Sequence, residues 1–175
     1  MVKSTMSRFR QGQLDALCGF YALTNAVCSL VNAQRSPLAE LVFEEAINRA
    51  PRALFPACLT DGLERSELLT VARRAVHRLS KDHGISLDTS SFHLDLSTGE
   101  GRRAFNPATM RVIACIETLS IAPLSHWTVI TRIARDHATL ADSGSLKSIP
   151  FAAPRMCGSP ARVLWKRSIL IRRVS

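Results

Sequence analysis

The sequence has few aromatic residues and no long apolar run. Aromatic side chains make up 6% of its 175 residues, and there is one tyrosine. No apolar run approaches the roughly 18 to 20 residues that cross a bilayer as a helix, and the opening MVKSTMSRFRQ lacks the apolar stretch of a signal peptide. We therefore expect a protein without a membrane span that is cytoplasmic, or that is exported by a route without a Sec-type signal peptide.

The cysteines do not form a pattern typical of a disulfide-rich or zinc-binding protein. There are five, an odd number, and no two of them form a CxxC pair. This argues against a disulfide framework and against a zinc ribbon. We expect free thiols, one of them reactive, and predict no metal and no cofactor.

Acidic residues are few relative to basic ones. The chain has 23 Lys and Arg against 14 Asp and Glu, a formal net charge of +9. Such an excess is compatible with nucleic acid, an acidic protein or a membrane surface as a partner. The basic residues are scattered, however, and few aromatics are present for base stacking, which argues against nucleic acid. We expect a protein or peptide partner, and the positive net charge favours an acidic one.

The composition is that of a folded domain. Hydrophobic residues make up 46% of the chain and charged residues 21%, far from the balance typical of disorder. The sequence has no internal repeat, low-complexity tract or linker. A single domain over residues 1–175 is therefore predicted.

Helical patterns come before strand patterns. The stretch CGFYALTNAVCSLV (18–31) has no charged residue, which predicts a helix buried on all sides. Further helices are predicted over 37–50 and 66–80, and strands over 111–119, 126–134, 137–143 and 162–174. This order predicts an α+β domain, with N-terminal helices, including the buried central one, packed on a C-terminal antiparallel sheet.

The connection before the third predicted helix contains two candidate capping residues. The segment 51–61 has no clear periodicity and is expected to be irregular. Asp61 or Ser66 is expected to cap the helix that follows, and Gly84 is expected to end it.

The stretch QGQLDALCGFYALTNAV (11–27) contains a candidate nucleophile. Cys18 stands at the predicted start of the buried helix, where free N–H groups and the helix dipole favour a thiolate. Gly19 would leave room for a substrate backbone. Gln13 could donate its amide to an oxyanion, with Gln11 as the weaker candidate. The alternative is a buried core cysteine, which describes Cys28 well.

A thiol nucleophile needs a base and a group that orients the base. Three histidines lie among charged residues or near turns and are expected to be exposed: His77, His83 and His93. His126 opens an apolar strand, so its ring can lie at the rim of the sheet facing the helix, whereas its rival His137 falls in a connection. A hairpin with its turn near 134–137 would place Asp142 roughly across from His126.

Each of these two residues also has a structural explanation. Taken alone, His126 fits a hydrogen-bonded structural histidine, and Asp142 fits a turn residue that accepts backbone N–H bonds. The order Gln, Cys, His, Asp taken together favours a nucleophile with its base and an orienting carboxylate.

The same residues resemble the papain-like cysteine peptidases of the small, minimal kind. The chain is locally similar to Josephin-type deubiquitinase domains at Gln13, LC (17–18), ALTNA (22–26) and HWTV (126–129). Josephin domains usually have Asn as the third residue of the set after Cys and His, where this chain has Asp142. Bacteriocin-leader peptidase domains share the CG start and an Asp at that point.

The resemblance implies a papain-like fold and a thiol hydrolase. It implies that Cys18 attacks an amide bond in a protein or peptide, that His126 is the base, and that Asp142 orients the imidazole. Gln13 would hold the oxyanion together with the Cys18 backbone N–H. Trp127 would lie beside the substrate and cover the His–Asp contact, although a core position explains it equally well.

Two alternatives stay open at this point. A glutamine deamidase or a transglutaminase-type acyltransferase would use the same triad. A papain-fold protein-binding module would keep the fold without activity.

Overall fold

Helices dominate the N-terminal half of the chain and strands the C-terminal half. A computed structural model describes residues 16–31, 36–117, 125–143, 146–151 and 162–174. Within these ranges the helices are α1 (Cys18–Leu30), α2 (Ser36–Arg49), α3 (Ala57–Thr60), α4 (Arg65–His83) and α5 (Gly99–Ala104), with a 3-10 turn over Arg52–Leu54. The strands are β1 (Leu87–Phe92), β2 (Met110–Glu117), β3 (Ser125–Ile133), β4 (His137–Ala141), β5 (Ser148–Pro150) and β6 (Arg162–Arg173). The α+β prediction is confirmed.

The strands of the described ranges form one antiparallel sheet in the order β1-β6-β2-β3-β4-β5. Because successive side chains on a strand point to opposite faces, the sheet contributes to two cores. The larger core lies between the sheet and α1 and α4 and includes Ile113, Cys115, Trp127 and Val129. The smaller one, on the other face, includes Val112, Ile130 and Leu140.

Helix α1 lies in the larger core, as its uncharged sequence predicts. All of its residues are buried except Tyr21, which is half-buried, and its apolar side chains meet both the sheet and the other long helices. It is 13 residues long. In the described part of the chain, no helix is long and apolar enough to cross a membrane.

Helix α4 begins at a different cap from the one expected. Glu64 precedes it as N-cap, and its side chain and that of Glu67 bond reciprocally to the backbone of the first turn, with Glu67 Oε2 accepting the Glu64 N–H at 2.7 Å. The prediction of Asp61 or Ser66 is therefore wrong. Gly84 does end the helix, with φ at +65°, the left-handed conformation that glycine adopts without strain.

Several short elements were not expected. The segment 51–61 contains the 3-10 turn and α3, and α5 follows the Thr98 side chain, which accepts the Gly101 N–H at 3.1 Å. Strand β5 is only three residues long. Elements of one turn or three residues are too short to show a hydrophobic period, so composition alone does not distinguish them from loops.

A buried arginine fixes the C-terminal end of α1. Arg111 of β2 is 8% exposed, and its guanidinium donates to the Ser29 hydroxyl at 2.8 Å and to the Ser29 carbonyl at 2.9 Å. It also donates to the carbonyls of Pro107 and Met110, both at 2.6 Å. Burial, with a smaller effect from Arg132, lowers the pKa of this group. A cation at the negative end of the helix dipole holds α1 to the central strand, and Cys18 is at the other end.

Candidate active site

Cys18 is the first residue of α1, as the sequence predicts. Its side chain is 7% exposed and borders the larger core. The chain just before it is fixed to α3, because the Ala16 N–H donates to the Leu59 carbonyl at 3.0 Å. The first N–H groups of a helix have no acceptor within the helix, so the backbone N–H of Cys18 belongs to the set that can bind an anion.

His126 and Asp142 form a short hydrogen bond. The distance between His126 Nε2 and Asp142 Oδ1 is 2.6 Å, and the exposed fractions of the two side chains are 24% and 3%. Cys18 lies close enough to the imidazole for its side chain to contribute to the raised pKa of His126. Since Nε2 bonds to the carboxylate, Nδ1 is the ring nitrogen that is left to interact with the sulfur. Three side chains far apart in sequence are thus brought close together as an array.

The charges in this array shift the pKa values of both titrating partners. Burial by itself lowers the pKa of His126, but the hydrogen bonds to Asp142 and Cys18, and the charges of both, raise it from 6.5 to about 9. Burial alone raises the pKa of Asp142. The bond to His126 and its charge, with further contributions from Thr128 and the Leu146 N–H, leave it below 3.8. The site favours an imidazolium beside a carboxylate.

Asp142 makes both kinds of contact that its sequence context suggested. One oxygen, Oδ1, faces His126, while Oδ2 accepts the Leu146 backbone N–H at 3.3 Å. The carboxylate therefore binds the Leu146 N–H and the imidazole at the same time.

A β-bulge in β3 determines which residue of that strand lies opposite Asp142. Strands β3 and β4 pair Arg132 with Thr139 but Ile130 with Leu140, so Thr131 is an extra residue in β3. Its hydroxyl donates to the Thr139 carbonyl at 3.3 Å. With regular pairing, Asp142 would lie opposite Val129 and point to the α1 face. The bulge shifts it by one residue, to the face of Thr128 and His126.

The pairing also corrects the expected hairpin geometry. Val129 pairs with Ala141, so Asp142 comes opposite Thr128, and its bond to His126 is diagonal rather than directly across. His126 is the second residue of β3 and so lies at the end of the sheet. From that rim the imidazole reaches Cys18 as well.

Trp127 has a packing role in the structure. It is 5% exposed, its indole N–H donates to the Leu63 carbonyl at 2.8 Å, and it belongs to the core around α1. It follows His126 on the strand, so it points to the opposite face from Asp142. The expected cover over the His–Asp contact is therefore wrong, because the indole holds β3 to the loop before α4.

Gly19 is also placed differently from the expectation. A Cβ added there would lie 3.3 Å from Cδ1 of Leu68 and 3.4 Å from Cδ1 of Leu63. The missing side chain lets α1 pack closely on α4 and the loop before it. The bare Cα faces these leucines, and the expected open space for a substrate backbone is not there.

The other described candidate histidines and cysteines lie elsewhere in the fold. His77, His83 and His93 are exposed. The rival His137 is the first residue of β4 and not part of a connection, so that expectation is wrong, and it bonds through Nδ1 to Asp136 Oδ1 at 2.7 Å. Gln11 and Gln13 lie outside the described residues, as does Cys157. The described cysteines are free and buried: Cys18, Cys28, Cys58 and Cys115.

Sequence reasoning missed four contributions to the site. They come from Thr128, Thr131, the Leu146 N–H and the Leu63 carbonyl. Two of these act through the backbone, which has no residue signature, and the bulge depends on pairing with another strand. In the described part of the chain, no group of three or more His, Cys, Asp and Glu side chains could hold a metal ion.

Comparison with models of known protein families finds no family that matches this chain, and no curated protein sequence matches it. The site is therefore interpreted from its own geometry.

The first prediction concerns the ion pair between His126 and Asp142. Asp142→Asn should lower the free energy of unfolding by about 3 kcal/mol between pH 3.8 and 6.5, where both groups carry their charges, and by less once the pH exceeds about 9. The interactions that raise the pKa of His126 stabilise the fold fully below pH 6.5, and this stabilisation is lost as the pH rises through about 9. The interactions that lower the pKa of Asp142 stabilise the fold above pH 3.8. Urea unfolding at a series of pH values measures the difference.

Asp136→Asn is the matched control. It makes the same change beside His137, in an exposed pair, and should leave the pH profile of stability close to that of the wild type. A difference between Asp142→Asn and wild type that stays constant from about pH 5 to about pH 10 would contradict the assignment.

The second prediction concerns the bulge. Deletion of Thr131 removes the extra residue, so Arg132 and Ile130 should pair with Thr139 and Leu140 without a bulge while Thr128 stays opposite Asp142. The bond from Asp142 to His126 should therefore persist, and the loss of stability at alkaline pH should be retained in the same unfolding series. Thr131→Val keeps the residue count, loses only the 3.3 Å bond to Thr139, and should also keep the pH dependence. Loss of the pH dependence in the deletion variant would contradict this register between β3 and β4.

Proposed function

We propose that the chain is a papain-like thiol hydrolase that cleaves an amide or isopeptide bond in a protein or peptide. The observation that supports this best is the array of Cys18, His126 and Asp142, with the 2.6 Å bond between the imidazole and a carboxylate that is 3% exposed. Nucleophile, base and orienting group are the three parts that acyl transfer by a thiol requires.

The nucleophile is activated by proton transfer to His126. The imidazole takes the thiol proton on Nδ1 while Asp142 accepts the N–H on Nε2, so the result is a thiolate beside an imidazolium. The raised pKa of His126, about 9, fits this ion pair, because the pKa is raised in part by the charge of Cys18. Asp142 stays ionised and stabilises the charged ring.

The acyl step forms a bond between Sγ and the substrate carbonyl carbon and breaks the bond between that carbon and nitrogen. His126 gives its proton to the departing amine. The oxyanion of the tetrahedral intermediate would bind the Cys18 backbone N–H at the start of α1, with the Gln13 amide as the second donor. Water then hydrolyses the thioester, His126 accepts its proton, and the free thiol is restored.

The substrate is proposed on less specific grounds. The net charge of +9 supports an acidic protein or peptide. A deamidase or an acyltransferase would pass through the same thioester and differ only in the amide attacked and the acceptor used. A binding module without activity has no need for a buried carboxylate paired with an imidazole, an arrangement that costs desolvation energy.

The third prediction concerns the reactivity of Cys18. Iodoacetamide near pH 6 should alkylate it at least about tenfold faster than Cys28, because only Cys18 has an imidazolium beside it. Cys28 is a closely matched control: it lies on the same helix, is 8% exposed against 7% for Cys18, and burial raises its pKa to about 11. Peptide mass spectrometry over a time course gives both rates.

His126→Ala should remove this selectivity, and His137→Ala should leave it unchanged. Equal rates for Cys18 and Cys28 in the wild type would contradict the proposed nucleophile.

The fourth prediction concerns the reaction itself. The purified chain should hydrolyse at least one of three substrate sets, namely ubiquitin-like probes, casein and glutamine-donor peptides, while Cys18→Ala should be inactive and Cys28→Ala active. Release of ammonia without chain cleavage would assign deamidation instead of peptide hydrolysis. Activity that survives in Cys18→Ala would refute the mechanism.

A further inference from the structure

A groove lined by basic side chains lies between the end of α2 and the outer face of α4. Its volume is about 560 Å³, and the basic residues that line it are Arg49, Arg52, Arg74, Arg78 and Lys81, with the imidazole of His77. The other lining residues are Asn48, Ala50 and Pro51, so no acidic side chain faces it. The mechanism proposed above uses none of these residues.

Helical spacing brings the cations of α4 together. Arg74, Arg78 and Lys81 follow one another at intervals of four and three residues, which places them along one face of the helix. Packing of α2 against α4 adds Arg49 and, through the 3-10 turn, Arg52. Arg74 also donates to the Arg49 carbonyl at 3.3 Å, which joins the two sides of the groove.

The acidic residues nearby neutralise only part of this charge. Glu45 pairs with Arg49 at 3.0 Å and Asp82 pairs with Arg78 at 2.6 Å. Among the residues that the structure describes, Arg52 and Lys81 have no acidic partner, and Arg74 donates to a carbonyl rather than to a carboxylate. Three cations are therefore uncompensated around one depression.

We propose that this groove binds an acidic segment of a protein partner in an extended conformation. From Arg74 to Lys81 the helix rises about 10 Å, and alternate side chains of an extended peptide are about 7 Å apart. Two carboxylates on one side of such a peptide would therefore lie within reach of the long basic side chains. Arginine forks bind carboxylates in pairs of hydrogen bonds.

The lining favours a peptide over nucleic acid. No aromatic side chain lines the groove, so unpaired bases would have no surface on which to stack. The cations surround one bounded depression, whereas a nucleic-acid backbone requires a continuous track. This proposal does not rest on the hydrolase activity, because binding can be measured with the full-length Cys18→Ala chain.

The test is fluorescence anisotropy with a labelled peptide of about eight glutamates, long enough to fill the groove when extended. We expect binding that weakens with salt and falls at least about tenfold in the double variant Arg74→Gln, Lys81→Gln. The control Lys166→Gln, Arg167→Gln removes the same charge from exposed positions on β6 and should change affinity less than about twofold.

Amide chemical shifts provide a second measurement that does not depend on variants. Addition of the peptide to the full-length chain should perturb residues 48–52 and 74–81 and leave those around Lys166 unchanged.

Three results would overturn the proposal. They are the absence of peptide binding at low salt, an equal loss of affinity in both double variants, and tighter binding of a single-stranded oligonucleotide of equal charge through the same groove residues. The last result would make nucleic acid the partner. None of these measurements depends on catalysis, so failure here leaves the proposed function standing, and failure of the activity assays leaves this proposal standing.

Discussion

The burial of α1 is the constraint on which the rest of this structure depends. An uncharged helix can occupy the centre of a domain only if neighbouring elements cover it on all sides, and here the sheet, α2 and α4 do so. Both of its ends are fixed by hydrogen bonds from distant sequence, through Arg111 at one end and through the contact of Ala16 with Leu59 at the other. Helix α1, with Cys18 as its first residue, is therefore held at both ends.

The buried carboxylate of Asp142 explains why the site is organised as it is. An ionised group that is 3% exposed is costly unless its oxygens are bonded, and both are, one to His126 and one to the Leu146 N–H. The ionised carboxylate raises the pKa of His126 and so favours the charged imidazole. With Thr131 as an extra residue in β3, Asp142 lies opposite Thr128 rather than Val129, so the register of the β3–β4 hairpin determines which side chain the carboxylate meets.

Much of the fold and of the candidate site could be predicted from the sequence. Helix α1 and the position of Cys18 at its start follow from an apolar stretch without charged residues. The proximity of His126 to Asp142 follows from hairpin geometry. Both patterns involve residues that are close together in sequence. What could not be predicted depends on contacts between elements. Gly19 faces Leu63 and Leu68 only once α4 packs on α1, and the alternation of β3 places Trp127 in the core only once the sheet covers the helix.

The basic groove shows the same limit at the surface. The arginines of α4 and those near the end of α2 are more than 20 residues apart in sequence and look scattered there, whereas the packing of α2 on α4 gathers them. Net charge alone therefore says little about where a partner binds.

The most direct test of the central claim is the titration of His126 by NMR in the wild type and in Cys18→Ala, with Cys28→Ala as the control. The account predicts a pKa of about 9 in the wild type and in the control, and a clearly lower value in Cys18→Ala, because Cys18 contributes both a hydrogen bond and a negative charge to the imidazolium. An identical pKa in all three proteins would show that the thiol and the imidazole are not coupled, and would contradict the account.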